Sequence, residues 1–335
     1  GNSPKTIIKD QTSNNIFKEI VYDKNKIEEN IEKLFQLESV GSKDWLTNKV
    51  DRCVTGKVAQ QQCVGELQLP LSNCGVMALD YQGKNGVATS IGHSPLTGLI
   101  NPKIGSINSI AKSLTNIIWA PLEKGLESVS LSANWMWPCR NKGEDHRLYT
   151  AVEACSTFAI NLGINIPTGK DSLSMTQKYD KMNVLCPGTV IITAAGNCSD
   201  ITNIISPVLK EKGGDIYYID ISNDNFYLGG SAFAQIHKSI GKKAPTIKDY
   251  SYFKRAFNII QKLINDKKIS SGHDVGSGGL ITTLMEMCFS SLEIGMHIDL
   301  DELEEQDTSK VFFSEKIGLI LQSKFDIESI LKKEK

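Results

Sequence analysis

The chain has 335 residues, 40% of them apolar and 22% charged, enough for two domains with cores of their own. Its 37 basic and 38 acidic residues leave a formal charge of -1, so no general attraction to nucleic acid or to an anionic membrane is expected. There is no apolar run of membrane-spanning length, no signal-peptide pattern and no C-x-x-C among the eight cysteines, and the expectation is a cytoplasmic protein without membrane span, disulfide framework or zinc site.

Gly1-Asn2-Ser3-Pro4-Lys5 opens on turn residues without a start methionine, as a chain cut from a longer one would. Residues 1–44 read as a linker or arm with one helix, because Ile27, Ile31, Leu34 and Leu37 fall on one helical face. Lys43 to Thr47 begins a second short helix. From 45 to 199 the pattern is α/β. Cys74 to Leu79 and Gly86 to Gly92 read as strands, Ile104 to Trp119 as a helix, and Val129 to Ala133 as a strand. Asp145 caps a helix running to Leu162, and Val190 to Ala195 closes the unit as its last strand. Beyond 200 an α+β unit follows. It has strands at Asp215 to Asp220 and Gly318 to Leu321, and helices after Ser231, at Phe253 to Leu263, at Leu280 to Cys288 and at Ile327 to Leu331.

The segment Gly169-Lys170-Asp171-Ser172-Leu173-Ser174-Met175 carries a glycine, a cation, a carboxylate and two hydroxyls in six positions. It reads as a loop facing a phosphate or nucleotide, with a plain surface turn as the alternative. It is not a P-loop, since Asp171 stands where Ser or Thr would hold magnesium. Lys57 could reach a phosphate or simply be solvated. Lys49, Asp51, Arg52 and Thr55 suit either a site or an ion pair that stiffens a loop.

Four segments together resemble one family. They are Val50 to Gly56 with Gln62 to Pro70; Leu131 to Met136 with Gly143-Glu144-Asp145; Ile166 to Met175; and His273-Asp274-Val275 with Gly278-Gly279-Leu280. The resemblance is to the large, single-chain phosphoribosylformylglycinamidine synthases. It implies the second half of their synthetase region, an aminoimidazole ribonucleotide synthetase-like module of an α/β and an α+β domain. Its N-terminal sheet would form half of a pseudo-dimeric barrel with the first half. The reaction implied for the whole enzyme uses ATP, magnesium and ammonia from glutamine to turn formylglycinamide ribonucleotide into formylglycinamidine ribonucleotide. The implied partners are the first synthetase half and the glutaminase domain, with a homodimer possible for the isolated segment. No catalytic residue is assigned within this chain, which is expected to be inactive alone.

The resemblance further implies an auxiliary ADP and magnesium position at Asn73, Lys112, Asn116 and Asp274. The family pattern has carboxylates at the first two, and Asp-x-Ser-Asp-Gly-Gly where this chain has Asp274-Val275-Gly276-Ser277-Gly278-Gly279. A lysine has no lone pair for a hard cation. The expectation is therefore a degraded site, empty or metal-poor, with Asn116 and Asp274 as remaining metal ligands and Lys57, Lys112, Asn116, Lys170, Asp171 and Ser172 as nucleotide contacts. Two other readings stay open: a non-catalytic scaffold half, and a standalone ATP-binding member of the superfamily.

Overall fold

The computed structural model describes residues 17–47 and 56–333; Lys49, Asp51, Arg52 and Thr55 lie outside them. Helix α1 (Ile27–Phe35) and the single turn α2 (Asp44–Thr47) come first. They are followed by β1 (Val58–Gln60), the two-residue pair β2 (Cys63–Val64) and β3 (Leu69–Pro70), β4 (Gly75–Ala78), β5 (Gly86–Gly92), α3 (Pro95–Ile100) and α4 (Pro102–Ile117). Next are β6 (Val129–Met136), α5 (Glu144–Leu162), β7 (Asn165–Ser172), the hairpin β8 (Thr176–Lys178) and β9 (Asn183–Leu185), and β10 (Thr189–Cys198). The C-terminal part holds β11 (Asp215–Asp220), α6 (Ala232–Ile236), α7 (Tyr250–Asn265), β12 (Ser271–Asp274), α8 (Gly279–Phe289), α9 (Thr308–Phe313), β13 (Gly318–Ser323) and α10 (Ile327–Lys333).

Two larger sheets result. One has six strands in the order β1-β4-β5-β10-β6-β7, and the other three strands in the order β11-β13-β12. Within the first, only β6 and β7 run parallel, since the chain between them has α5 to carry it back over the sheet. Alternation along the strands buries Val76, Ala88, Leu131, Ala133, Val190, Ile192 and Ala194 in one core with α4 and α5. The other face stays open: Met77, Thr89, Ile91 and Thr193 are exposed on it.

Helix α4 starts two residues before the apolar pattern does, because Asn101 caps it by accepting from Lys103 N at 2.9 Å and Pro102 sits at its first position. Ile110, Leu114 and Ile117 are fully buried, each contributing about 1.5–3 kcal/mol of apolar transfer. The start of α5 corrects an expectation. Asp145 lies inside the first turn and accepts from the adjacent His146 N, while the capping position is Gly143 with φ 83°. Glu144 and Asp145 serve the helix dipole there rather than a cap. Gly163, with φ 75°, ends the helix in the left-handed conformation.

The two parts share a core. Phe253, Phe257 and Ile264 of α7 join Phe158 and Leu162 of α5 in the same cluster as β13. Gln261 of α7 adds a polar clasp: its amide donates to the carbonyls of Ile118 and Ala120 and accepts from Leu122 N at 2.8 Å. A buried carboxamide with both ends satisfied is stabilising, whereas one deprived of partners is costly.

At Gly92 the backbone of α4 lies directly against β5. A Cβ there would stand 2.2 Å from Ser109 O and 2.3 Å from Ser113 N, both main-chain atoms. Ser90 Oγ, two residues back, donates to Ser113 O at 2.6 Å. Gly92→Ala is expected to force the helix off the sheet and cost about 1–3 kcal/mol, as other overpacking changes do. Urea unfolding of the variant would measure this, and an unchanged midpoint would contradict the contact.

Candidate functional site

Asn73, just ahead of β4, donates Nδ2 to both oxygens of Asp274, at 3.3 Å and 3.1 Å. Trp119 Nε1 donates to Asp274 Oδ1 at 3.3 Å. The carboxylate is buried, so protein donors stand where a metal ion would have to approach. Asn116 turns its Nδ2 to Ile91 O at 2.7 Å, and Lys112, one turn earlier on α4, pairs with Glu315 Oε2 at 3.3 Å. Asn73 and Asn116 line one cleft of about 850 Å³ that opens toward Thr89 and Thr193 on the bare sheet face. Gln60, Gln61 and Gln62 also line it, and among the described residues none of its lining side chains is charged, so these offer a neutral hydrogen-bonding wall.

The donor set does not fit magnesium. It has one carboxylate already engaged, two carboxamides and an ammonium, where the ion wants several free hard oxygens in octahedral array. Among the described residues no group of three or more His, Cys, Asp or Glu is placed to hold a metal. Packing does not demand glycine at Gly276, since a Cβ there would meet nothing within 4 Å.

Behind Asp274, His273 is buried between two carboxylates. Its Nε2 lies 3.0 Å from Glu286 Oε2 and its Nδ1 3.5 Å from Asp274 Oδ1. Burial by itself would push the imidazole pKa down; the hydrogen bonds and charges of Asp274 and Glu286 outweigh that and hold it up at about 10. His273 thus bridges the two carboxylates, and its Nδ1 also accepts from the Asp274 backbone N–H at 3.1 Å.

The residues expected to gather around one nucleotide are dispersed. Lys57 precedes β1, donates to Leu79 O at 3.1 Å and lies over the Tyr81 ring at 5.4 Å. Lys170, Asp171 and Ser172 sit not in a loop but in β7, the strand at the opposite edge. Five strand spacings separate the two edges, about 24 Å along the sheet. Gly169 is there for strand packing: a Cβ would stand 2.1 Å from Ala133 O on β6. Lys170 pairs in register with Asn134 and Ser172 with Met136, on the open face, and Lys170 Nζ donates to Ser172 Oγ at 2.7 Å. Asp171 alternates to the other side, opposite Trp135. Asn134 brings Oδ1, a buried acceptor with no partner, beside Lys170.

Sequence reasoning missed Trp119, Glu286 and Glu315. Glu315 left a trace, because Ser314-Glu315-Lys316 interrupts the apolar residues 311–321, and charges inside such a run are rarely buried without partners.

Two family profiles match this frame: "FGAR-AT PurM_N-like domain" over residues 42–197 and "AIR synthase related protein, C-terminal domain" over 224–331. Among solved structures, T. maritima PurL complexed with FGAR superposes with a TM-score of 0.61 at 13% identity, covering 90% of this chain and 46% of that one. The same protein complexed with ADP gives 0.60, also at 13% identity, covering 90% and 45%. The fold is therefore that of an AIR synthase-like two-part module. Curated relatives carry the sequence signal. A probable phosphoribosylformylglycinamidine synthase of Arabidopsis thaliana is 40% identical over 306 residues, 90% of this chain and 22% of the relative. The phosphoribosylformylglycinamidine synthase of Homo sapiens is 40% identical over 306 residues, 90% of this chain and 23% of the relative. The chain belongs to the phosphoribosylformylglycinamidine synthase family and spans between a fifth and a quarter of the length of these relatives.

The elevated pKa of His273 has a sign that can be tested. Asp274 and Glu286 raise the folded-state pKa of the imidazole toward about 10, whereas in the unfolded chain it is charged only below about 6.5. Its contribution to stability is complete below the unfolded value and is lost as pH rises through the folded one. Glu286→Gln should lower the folded pKa and move that loss to lower pH. Histidine NMR titration would read it, and a His273 signal titrating near 6.5 in the parent chain would contradict the arrangement.

Proposed function

We propose that this chain is the second half of the synthetase region of an ATP- and glutamine-dependent ligase. That enzyme would convert formylglycinamide ribonucleotide to formylglycinamidine ribonucleotide in purine biosynthesis, in a cytoplasmic setting. By itself the chain is incomplete and inactive. The observation that carries the reading is the 40% identity over 90% of this chain to relatives of which it covers 22–23%. The bare sheet face supports it: Ile91 is 55% and Met77 39% exposed on a face that a companion sheet would cover. A standalone ATP-binding enzyme would need its charged contacts in one place, and here they are split between two sheet edges.

In this reading the six-stranded sheet meets the first half of the synthetase region across its open face, closing a barrel. Lys170 and Ser172 then stand at the rim of that junction beside the orphaned carboxamide oxygen of Asn134. Lys170 would contact a phosphate of the nucleotide or of formylglycinamide ribonucleotide, with Ser172 as a second donor. Asn134 would accept from the substrate. Asp171, on the other side of the strand, takes no part. No step of the reaction is assigned to a side chain of this segment; its task is to present donors and to exclude water from the junction. For the position at Asn73, Lys112, Asn116 and Asp274, the engaged carboxylate and the paired lysine favour the scaffold reading, without resident magnesium.

Two measurements test the proposal. The isolated chain is expected to self-associate through the open face and to become monomeric with Ile91→Lys; light scattering that finds the parent chain monomeric would contradict it. In the full-length enzyme, Lys170→Ala should reduce kcat/KM about 10- to 100-fold, the loss of a charge-assisted hydrogen bond worth about 1.5–3 kcal/mol. Unchanged kinetics would remove Lys170 from the site.

A further inference from the structure

We propose that the Lys112–Glu315 ion pair is a built-in tie between the two parts of this chain, closing the junction of α4 with the turns before α6 and α8 without a metal ion or nucleotide. The inference rests on reading the chain as a second synthetase half, and it concerns a residue, Glu315, to which neither the motifs nor the resemblance assigns a role.

Glu315 has three partners from three distant stretches of chain. Its Oε2 meets Lys112 Nζ of α4 at 3.3 Å. Its Oε1 accepts from Ala232 N, the first residue of α6, at 2.8 Å, and from Gly278 N, in the turn before α8, at 3.1 Å. A carboxylate that gathers a cation and two main-chain amides organises a junction much as a bound anion would. Both side chains are largely withdrawn from water, at 18% and 10% exposure, so neither charge is solvated well enough to stand alone.

The charge pattern makes the replacement self-consistent. A carboxylate at position 112 would face Glu315 across the same gap, and two carboxylates there would require a cation between them. Lysine brings that cation covalently and removes the requirement. The neighbouring contact is closed in the same sense: Asn73 meets Asp274 with an amide donor, so that junction too needs no ion. Gly278 reaches its place with φ 90°, a conformation suited to glycine, so its N–H is held toward Glu315 by the backbone itself.

The test uses the whole chain. Its thermal midpoint is expected to be the same in EDTA as in millimolar magnesium with ADP, because no ligand that binds the folded state means no shift. A magnesium-dependent rise in the presence of ADP would overturn the proposal, and this measurement needs no variant. Lys112→Met and Glu315→Gln should each lower the midpoint, while the double variant loses clearly less than the two singles together. Additive losses would equally overturn the tie. The underlying reading is checked apart from this, by mixing the chain with the separately produced remainder of the enzyme and assaying formylglycinamidine ribonucleotide. Failure there with a coupled pair intact would sink the family role and leave the tie standing.

Discussion

The contact on which the rest of the structure depends is the approach of α4 to β5 at Gly92, main chain against main chain. With no side chain between them, the helix sits deeper on the sheet than packed side chains would allow, and the serine hydroxyl of Ser90 reaches its backbone. That depth sets where the outer turns of α4 emerge. It brings Asn116 to the Ile91 carbonyl and sends Lys112 to Glu315. Asn73 and Asp274 meet beside the same helix end, with Trp119, two residues past α4, donating to the carboxylate.

Electrostatically, the region around the end of α4 is self-compensated. Lys112 has Glu315, His273 has Glu286 and Asp274, and Asp274 has further neutral donors in Asn73 and Trp119. Each buried charge thus has an internal partner, which is the condition under which burial is tolerable. Other polar chemistry lies on the open sheet face at its β7 edge, where exposed Lys170 stands in register with Asn134, whose buried carboxamide oxygen has no partner among the described residues.

Elements with strong periodicity were legible without coordinates. The apolar-periodic run Ile104 to Trp119 announced α4, and the glycine-bounded run 86–92 announced β5, since burial demands apolar residues at the period of the element. Polar edge strands were not legible. Segment 169–175 reads as a ligand loop because its residues are those of a phosphate site, yet its first part, through Ser172, is held as a strand by hydrogen bonds to β6 that composition does not report. Strand β12 was missed as well, for Ser271-Gly272-His273-Asp274 has no strand-like composition and is buried wholly by its surroundings. The cap at Asp145 failed because Gly143 supplies a left-handed turn that makes a side-chain cap unnecessary.

Sequence alone determined the family and the α/β and α+β character, because those depend only on which residues occupy a motif and at what period. Tertiary structure alone decided which of them meet. It separated Lys57 from Lys170 by the width of a sheet, turned Asp171 away from its neighbours, and recruited Glu315 from about two hundred residues downstream to hold Lys112. The physical reason is that an ion pair or a hydrogen bond is set by distance in space, and a sequence states only distance along the chain.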